Sequence, residues 1–315
     1  MKKKPSCAAP LLLLLLAACS SISTPADVGN IESPANGAGG STASVPTAVG
    51  TETAASGPAY VKPEDLKAVP LVFGRIESPA LEKTAAPETA SPAKVYECSA
   101  APGLPSCSVH LYEERADNGY IGVRVFLRVP DGWYAAGGSI AGDAGSLAVR
   151  YLPQGSGPAE DGPMELAIGG APDDSYAGPV RTLFYDAEKG VWRMQDFQGH
   201  DVQRLDLNQD GQAEWISPSV DWVPPSVGIY RWDSTARAYE YTVVENVAAA
   251  AFGLTMEQVP LYAYLFKESG EWIIETGPSD RYGFFRQEGD QLVPARLTDE
   301  RSRLMDLRRT QGHRH

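Results

Sequence analysis

The chain has 315 residues, with 27 Lys and Arg against 40 Asp and Glu, four histidines and four cysteines. Its formal net charge of −13 repels phosphate backbones, which sets nucleic acid aside as a partner and makes cations the natural small ones. Phosphate loops and dinucleotide fingerprints are missing, and the histidines lack metal-ligand spacing.

Lys2-Lys3-Lys4, the run Leu11 to Leu16 and then Ala17-Ala18-Cys19 form a basic stretch, a short apolar core and small residues before a cleavage point. That is an export signal peptide, and its apolar core is too short to span a bilayer. Leu16-Ala17-Ala18-Cys19 resembles the lipobox of bacterial lipoproteins. The resemblance implies cleavage before Cys19 and attachment of lipid such as palmitate to its thiol and amine, so the mature chain would sit in the cell envelope, anchored to a membrane on its extracytoplasmic side. Inner and outer membrane stay undecided, and an ordinary secretory peptide with a chance cysteine is the alternative. Removing residues 1–18, which carry three lysines and no acid, leaves 24 basic and 40 acidic side chains, a balance of −16.

Cys7 leaves with the signal and Cys19 takes the lipid, so Cys98 and Cys107 remain. In an oxidising compartment these two are expected to form a disulfide bond that staples a hairpin; a metal pair is the lesser alternative, since histidine partners are lacking. Residues 19–93 are rich in Ala, Ser, Thr, Pro and Gly, which predicts a disordered tether unable to bury enough apolar area to order itself. Within it, Leu71-Val72-Phe73-Gly74-Arg75-Ile76 is the one stretch that could add a strand.

The folded part, 94–297, is expected to be all-β. Ile121, Val123, Val125, Leu127 and Val129 alternate with Gly122, Arg124, Phe126 and Arg128, and turns flank them at Asp117-Asn118-Gly119 and Pro130-Asp131-Gly132. Val109 and Leu111 suggest the antiparallel partner. Further strands are expected at Leu183–Tyr185, Ile229–Trp232, Ala263–Phe266 and Gly283–Phe285. Asn246 to Gln258 is the only modest helix candidate there, and the polar tail, 298–315, offers a short charged helix over Thr298 to Arg309.

One stretch asks for a ligand: Asp206-Leu-Asn208-Gln-Asp210-Gly211-Gln212-Ala-Glu214. Side-chain oxygens stand at loop positions 1, 3, 5 and 9, Gly at 6, and the Gln212 carbonyl at 7, which suits Ca²⁺. Position 12 is Ser217 and the flanks read as strands, so this is not an ordinary EF-hand; a bare Asx-turn is the competing reading. The expected role of the ion is structural.

The loop has a predecessor 49 positions earlier, Asp161-Gly162-Pro-Met-Glu165 against Asp210-Gly211-Gln-Ala-Glu214, each followed by an apolar strand, a Pro-bearing turn and an aromatic strand ending in Asp. Here the chain resembles the FG-GAP/VCBS class of calcium-loop repeats over about residues 157–240. That resemblance implies β-propeller blades, cation ligands at Asp206, Asn208, Asp210, Gln212 and Glu214, and the family's Gly-Ala-Pro signature at Gly170-Ala171-Pro172. Gly157 and Ala159 replace ligands in the first unit, which implies a lost ion there. A propeller-like arrangement of about four blades and a β-sandwich both fit the strand pattern.

Catalytic constellations fail. Gly137-Gly-Ser139-Ile-Ala141 misses the nucleophile elbow by its last residue; His110 and His200 lack metal-spaced partners, and His200 beside Asp201 reads as an exposed turn histidine, with a general base as the alternative; and Glu113-Glu114, Glu160-Asp161 and Asp173-Asp174 read as solvated charges. The favoured function is a non-enzymatic, lipid-anchored binding or structural module that offers aromatic-rich loops to an envelope protein or a polysaccharide. The alternative is a cell-envelope glycan hydrolase whose carboxylates come from distant positions.

Overall fold

A computed structural model describes residues 57–312 apart from 88–90, 99–104, 116–118, 120, 154–163, 170–178, 198, 200, 220–223 and 256–260. The signal peptide, Cys19, Asp161, Gly170-Ala171-Pro172, His200 and the terminal histidines lie outside the described residues.

Four short strands come first: β1 (Ala59–Tyr60), β2 (Val69–Pro70), β3 (Gly74–Arg75) and β4 (Glu82–Thr84). Four antiparallel meanders follow. The first sheet is β5 (Lys94–Glu97), β6 (Ser108–Arg115), β7 (Ile121–Val129) and β8 (Gly132–Ala135), with β9 (Ile140–Ala141) added on β7. The second is β10 (Val149–Pro153), β11 (Met164–Gly169), β12 (Val180–Asp186) and β13 (Val191–Phe197). The third is β14 (Gln203–Leu205), β15 (Glu214–Ser219), β16 (Ser226–Asp233) and β17 (Ala238–Val243). A short helix α1 (Val244–Ala248), prolonged as a 3₁₀ turn over Ala249–Phe252, leads to the fourth sheet: β18 (Leu261–Glu268), β19 (Glu271–Pro278), β20 (Arg281–Glu288) and β21 (Gln291–Pro294). Helix α2 (Arg303–Gly312) ends the chain.

The class is therefore all-β, and the sheets follow one another as separate propeller-like meanders. Strand alternation explains how they stack, because successive side chains leave opposite faces. Leu166 and Ile168 of β11 join Val109, Val123, Val125 and Leu127 in a core shared with the first sheet, whereas Ala167 faces Trp215, Tyr230 and Tyr239 of the third. Ile216 and Ile229 then pack with Leu265, Ile274 and Phe285 of the fourth. Its far face is covered by α2 through Leu304, which packs among Tyr262, Ile273, Tyr282 and Phe284.

The boundary expected at Lys94 is too late. Residues 59–84 form a strap that visits the sheets in reverse order: β2 on β21, β3 on β17, a bridge from Ala80 to Arg193 of β13, and β4 on β8. Each contact covers the last strand of a sheet, where unpaired N–H and C=O groups would otherwise stay open. Leu66, Val69 and Leu71 are buried between the third and fourth sheets and Leu81 against the first and second. A composition average hides these sparse anchors among prolines and alanines. The Leu71–Ile76 stretch thus joins the fold through β3, and the C-terminal tail through Leu304.

Cys98 and Cys107 are disulfide-bonded across the mouth of the β5–β6 hairpin, as expected. Helical structure near residue 246 covers 244–252, slightly earlier than the sequence suggests.

Candidate metal centre and its adjoining cleft

Strands β14 and β15 pair antiparallel with Leu205 opposite Glu214, so residues 206–213 must reverse the chain. Two left-handed residues accomplish this, Gln209 with φ 58° and Gly211 with φ 87°; glycine at the second removes the Cβ clash that such a φ imposes. Leu207 is buried in the core between the third and fourth sheets and anchors the loop from inside.

The loop winds around its own oxygens. Asp206 accepts the N–H of Asp210 at 3.1 Å on one oxygen and that of Gly211 at 3.0 Å on the other. Asn208 Oδ1 also accepts from Asp210 N–H at 3.0 Å, and Asp210 accepts the Gln212 N–H at 2.7 Å and the Asn208 Nδ2–H at 2.9 Å. Glu214 accepts the Leu207 N–H at 3.2 Å. The bonds of Asn208 and Asp210 to the N–H two residues on are Asx-turn bonds, and the whole set holds four of the five expected cation ligands on one turn by their side chains. The fifth, Gln212, would contribute its backbone carbonyl.

Glu214 is buried, at 5% exposure. Burial, opposed by the N–H groups of Leu207 and its own residue and aided by the charges of Asp210 and Asp206, pushes its carboxyl up to about 7. Among the described residues no three Asp, Glu, His or Cys side chains converge into a ready metal cage. The oxygen-only donor set nevertheless suits a hard cation, which would take ligands from Asp206, Asn208, Asp210, Gln212 and Glu214 and relieve their mutual repulsion. Ser217, at loop position 12, lies inside β15 opposite Gly228. Any ion here is therefore closed at Glu214, not by an EF-hand's twelfth residue.

Beside the loop lies a cleft of about 640 Å³, walled by the loop and the β16–β17 hairpin on one side and by the β20–β21 turn on the other. Arg231 spans it, bonding Glu240 at 3.1 Å, pairing with Asp290 and lying 3.8 Å above the ring centroid of Phe73 from the strap. The sequence did not mark this cleft, because its walls come from stretches separated by tens of residues and only the loop carries a motif.

The remaining candidates are structural. His110 is buried with Nε2 2.9 Å from Ser108 Oγ and its ring edge-on to Trp133; burial, reinforced by Arg128, lowers its pKa. Ser139 donates to Glu114 at 2.8 Å, and Glu113 accepts the Ala144 N–H at 2.9 Å, so both tie β6 to the segment around β9. Two carboxyls that sequence reasoning left without a role are fully buried. Glu165 accepts Trp215 Nε1–H at 3.1 Å and the Tyr239 hydroxyl. Glu275 accepts the Tyr262 hydroxyl at 2.8 Å, the Ser302 hydroxyl, and the N–H groups of Arg303 at 2.7 Å and Leu304 at 3.2 Å, which pins the start of α2. An acidic residue inside an apolar strand, as in Met-Glu165-Leu-Ala-Ile or Trp-Ile-Ile-Glu275-Thr, is the signal that could have found them.

No family model matches the chain, and no curated protein and no solved structure matches it.

Proposed function

We propose that the chain is a lipid-anchored, extracytoplasmic binding module of the cell envelope whose third sheet is stiffened by a calcium ion in the β14–β15 loop. The anchor rests on the lipobox at Cys19. The observation that carries the ion is the loop geometry, which gathers the side-chain oxygens of Asp206, Asn208, Asp210 and buried Glu214 on one turn; burial first, and the charges of Asp210 and Asp206 next, push the Glu214 carboxyl up to about 7. A divalent cation would discharge that cluster and tie β14 to β15.

A ligand that binds only the folded state stabilises it by RT ln(1 + [L]/Kd), so Ca²⁺ at a hundred times Kd adds about 2.7 kcal/mol and raises the melting temperature by several degrees. Asp210→Ala should abolish that increment, while Asp161→Ala, in the unit with Gly157 and Ala159, should leave it intact. Equal melting in millimolar Ca²⁺ and in chelator would reduce the loop to an Asx-turn. Replacing Cys19 by Ser should release the protein from detergent-soluble membrane or leave it unprocessed; unchanged membrane association would remove the anchor.

A second reading, a hydrolase of envelope glycans, draws on the same carboxyl. A pKa near 7 in a cleft that other carboxylates share suits a general acid. Glycan cleavage that is lost in a folded Glu214→Gln variant would favour it over the non-enzymatic reading.

A further inference from the structure

The cleft between the third and fourth sheets falls in the size range of small-molecule sites. Five carboxylates line it, those of Asp210, Glu214, Asp233, Glu240 and Asp290, against the single cation Arg231. Arg231 is committed to Glu240 and Asp290. Among the described residues, Asp210, Glu214 and Asp233 form no ion pair with Lys, Arg or His.

Gln287 supplies an independent sign of a ligand. It lines the cleft from β20 at 6% exposure, and its Nε2 donates to the Gly289 carbonyl at 3.1 Å, which fixes the amide and leaves buried Oε1 as an acceptor with no donor. A buried acceptor of this kind is costly unless something supplies a proton to it. Trp232, held edge-on by Phe184 at 5.4 Å and Tyr239 at 5.1 Å, adds an aromatic wall. The acceptor oxygens outnumber the unpartnered donor of the wall, the Trp232 indole N–H, and with a π surface they favour a donor-rich cation. The volume is far larger than a bare ion fills.

We propose that this cleft binds an organic cation bearing primary ammonium groups, with Asp233 and Gln287 as acceptors and Trp232 packing on its alkyl chain. The proposal names a ligand for the binding-module reading and rests on that reading; Asp210 and Glu214 are shared with the cation loop, so Asp233 and Gln287 are the ammonium acceptors whether or not the metal is bound. Free polyamines and the lysine side chains of a partner peptide share this chemistry.

The test is calorimetric titration of the detergent-solubilised mature protein with spermidine and, separately, with a lysine-rich peptide, each in chelator and in Ca²⁺. Saturable binding of one equivalent is expected, weakened about tenfold in Asp233→Asn and in Gln287→Leu. Asn at 233 keeps an oxygen for the N–H groups of Thr235 and Ala236, so that variant preserves its turn even if the Gln287 variant fails to fold. Glu82→Gln, an exposed change of equal charge on β4, should bind as wild type. Binding of the peptide but not of spermidine would assign the ligand to a protein partner, and the converse to a free polyamine. Absence of saturable binding by either, or equal loss in Glu82→Gln, would overturn the site. The chelator and Ca²⁺ titrations separate the two readings: saturable spermidine binding in chelator with no calcium increment in melting keeps the cleft and removes the ion, and a calcium increment with no spermidine binding keeps the ion and removes the cleft.

Discussion

Glu165 and Glu214 occupy the same place in consecutive sheets. Each stands near the start of the second strand opposite a leucine of the first, Leu152 for Glu165 and Leu205 for Glu214, and each is buried. Alternation turns Glu165, with Ala167, toward the third sheet, and Glu214, with Ile216, toward the fourth. What differs is the facing sheet. The third presents Trp215 and Tyr239 as donors to Glu165, whereas Glu214 opens on a cleft that the fourth sheet lines with Gln287 and Asp290, an amide and another carboxylate. Glu275 repeats the first solution one sheet later, with α2 as its donor. Position in the repeat thus sets burial, and the next element along the chain decides whether the carboxyl is satisfied from within or left for a cation or a proton.

The largest break in this comparison is Glu165→Ala. It removes the acceptor that Glu165 offers to the Trp215 indole N–H and the Tyr239 hydroxyl, and leaves a cavity between two sheets. A loss of roughly 3–5 kcal/mol in denaturant unfolding is expected. A loss under about 1 kcal/mol would mean that water replaces the carboxyl and that the interface is not dry.

How much of this was legible depends on the range over which each feature is encoded. The β7 alternation, the Cys98–Cys107 staple and the Asp206–Glu214 loop are local patterns, and the structure keeps all three in place. The strap was missed because β1 to β4 are two or three residues long and gain their hydrogen bonds only from strands far along the chain. The role of Glu165 was hidden for the same reason, since its donors lie 50 and 74 residues away. The cleft joins residues 208–214 to 287–290, which no single window of sequence contains.

A smaller effect, and a sharper contrast, is the pH dependence of Glu214. Its carboxyl ionises near 7 in the fold and near the ordinary 4.5 in the unfolded chain, because burial first and the charges of Asp210 and Asp206 next outweigh its backbone donors. Between those values the folded state keeps a proton that the unfolded state has released, so stability falls as pH rises from about 4.5 to about 7. The window is worth up to roughly 3 kcal/mol. In chelator, the difference in unfolding free energy between wild type and Glu214→Gln should therefore grow in favour of the variant from pH 5 to pH 8. Saturating Ca²⁺ should erase the wild-type fall and do nothing for the variant. A difference independent of pH would place the Glu214 carboxyl in the ordinary range and remove the argument for an ion beside it.

The smallest effect is Tyr239→Phe, and it isolates the donor from the packing. The Tyr239 ring touches Phe197, Phe184 and Trp232 with centroids 5.2, 6.0 and 5.1 Å away, and phenylalanine preserves all three contacts. Only the hydroxyl is lost, and Trp215 still donates to Glu165. A cost of about 1–2 kcal/mol is expected. In the Glu165→Ala background the Tyr239–Glu165 bond is already gone, so the same substitution should cost less than in the wild type. The coupling between the two changes then measures the Tyr239–Glu165 bond itself. Equal costs in both backgrounds would show that the hydroxyl acts through a partner other than Glu165.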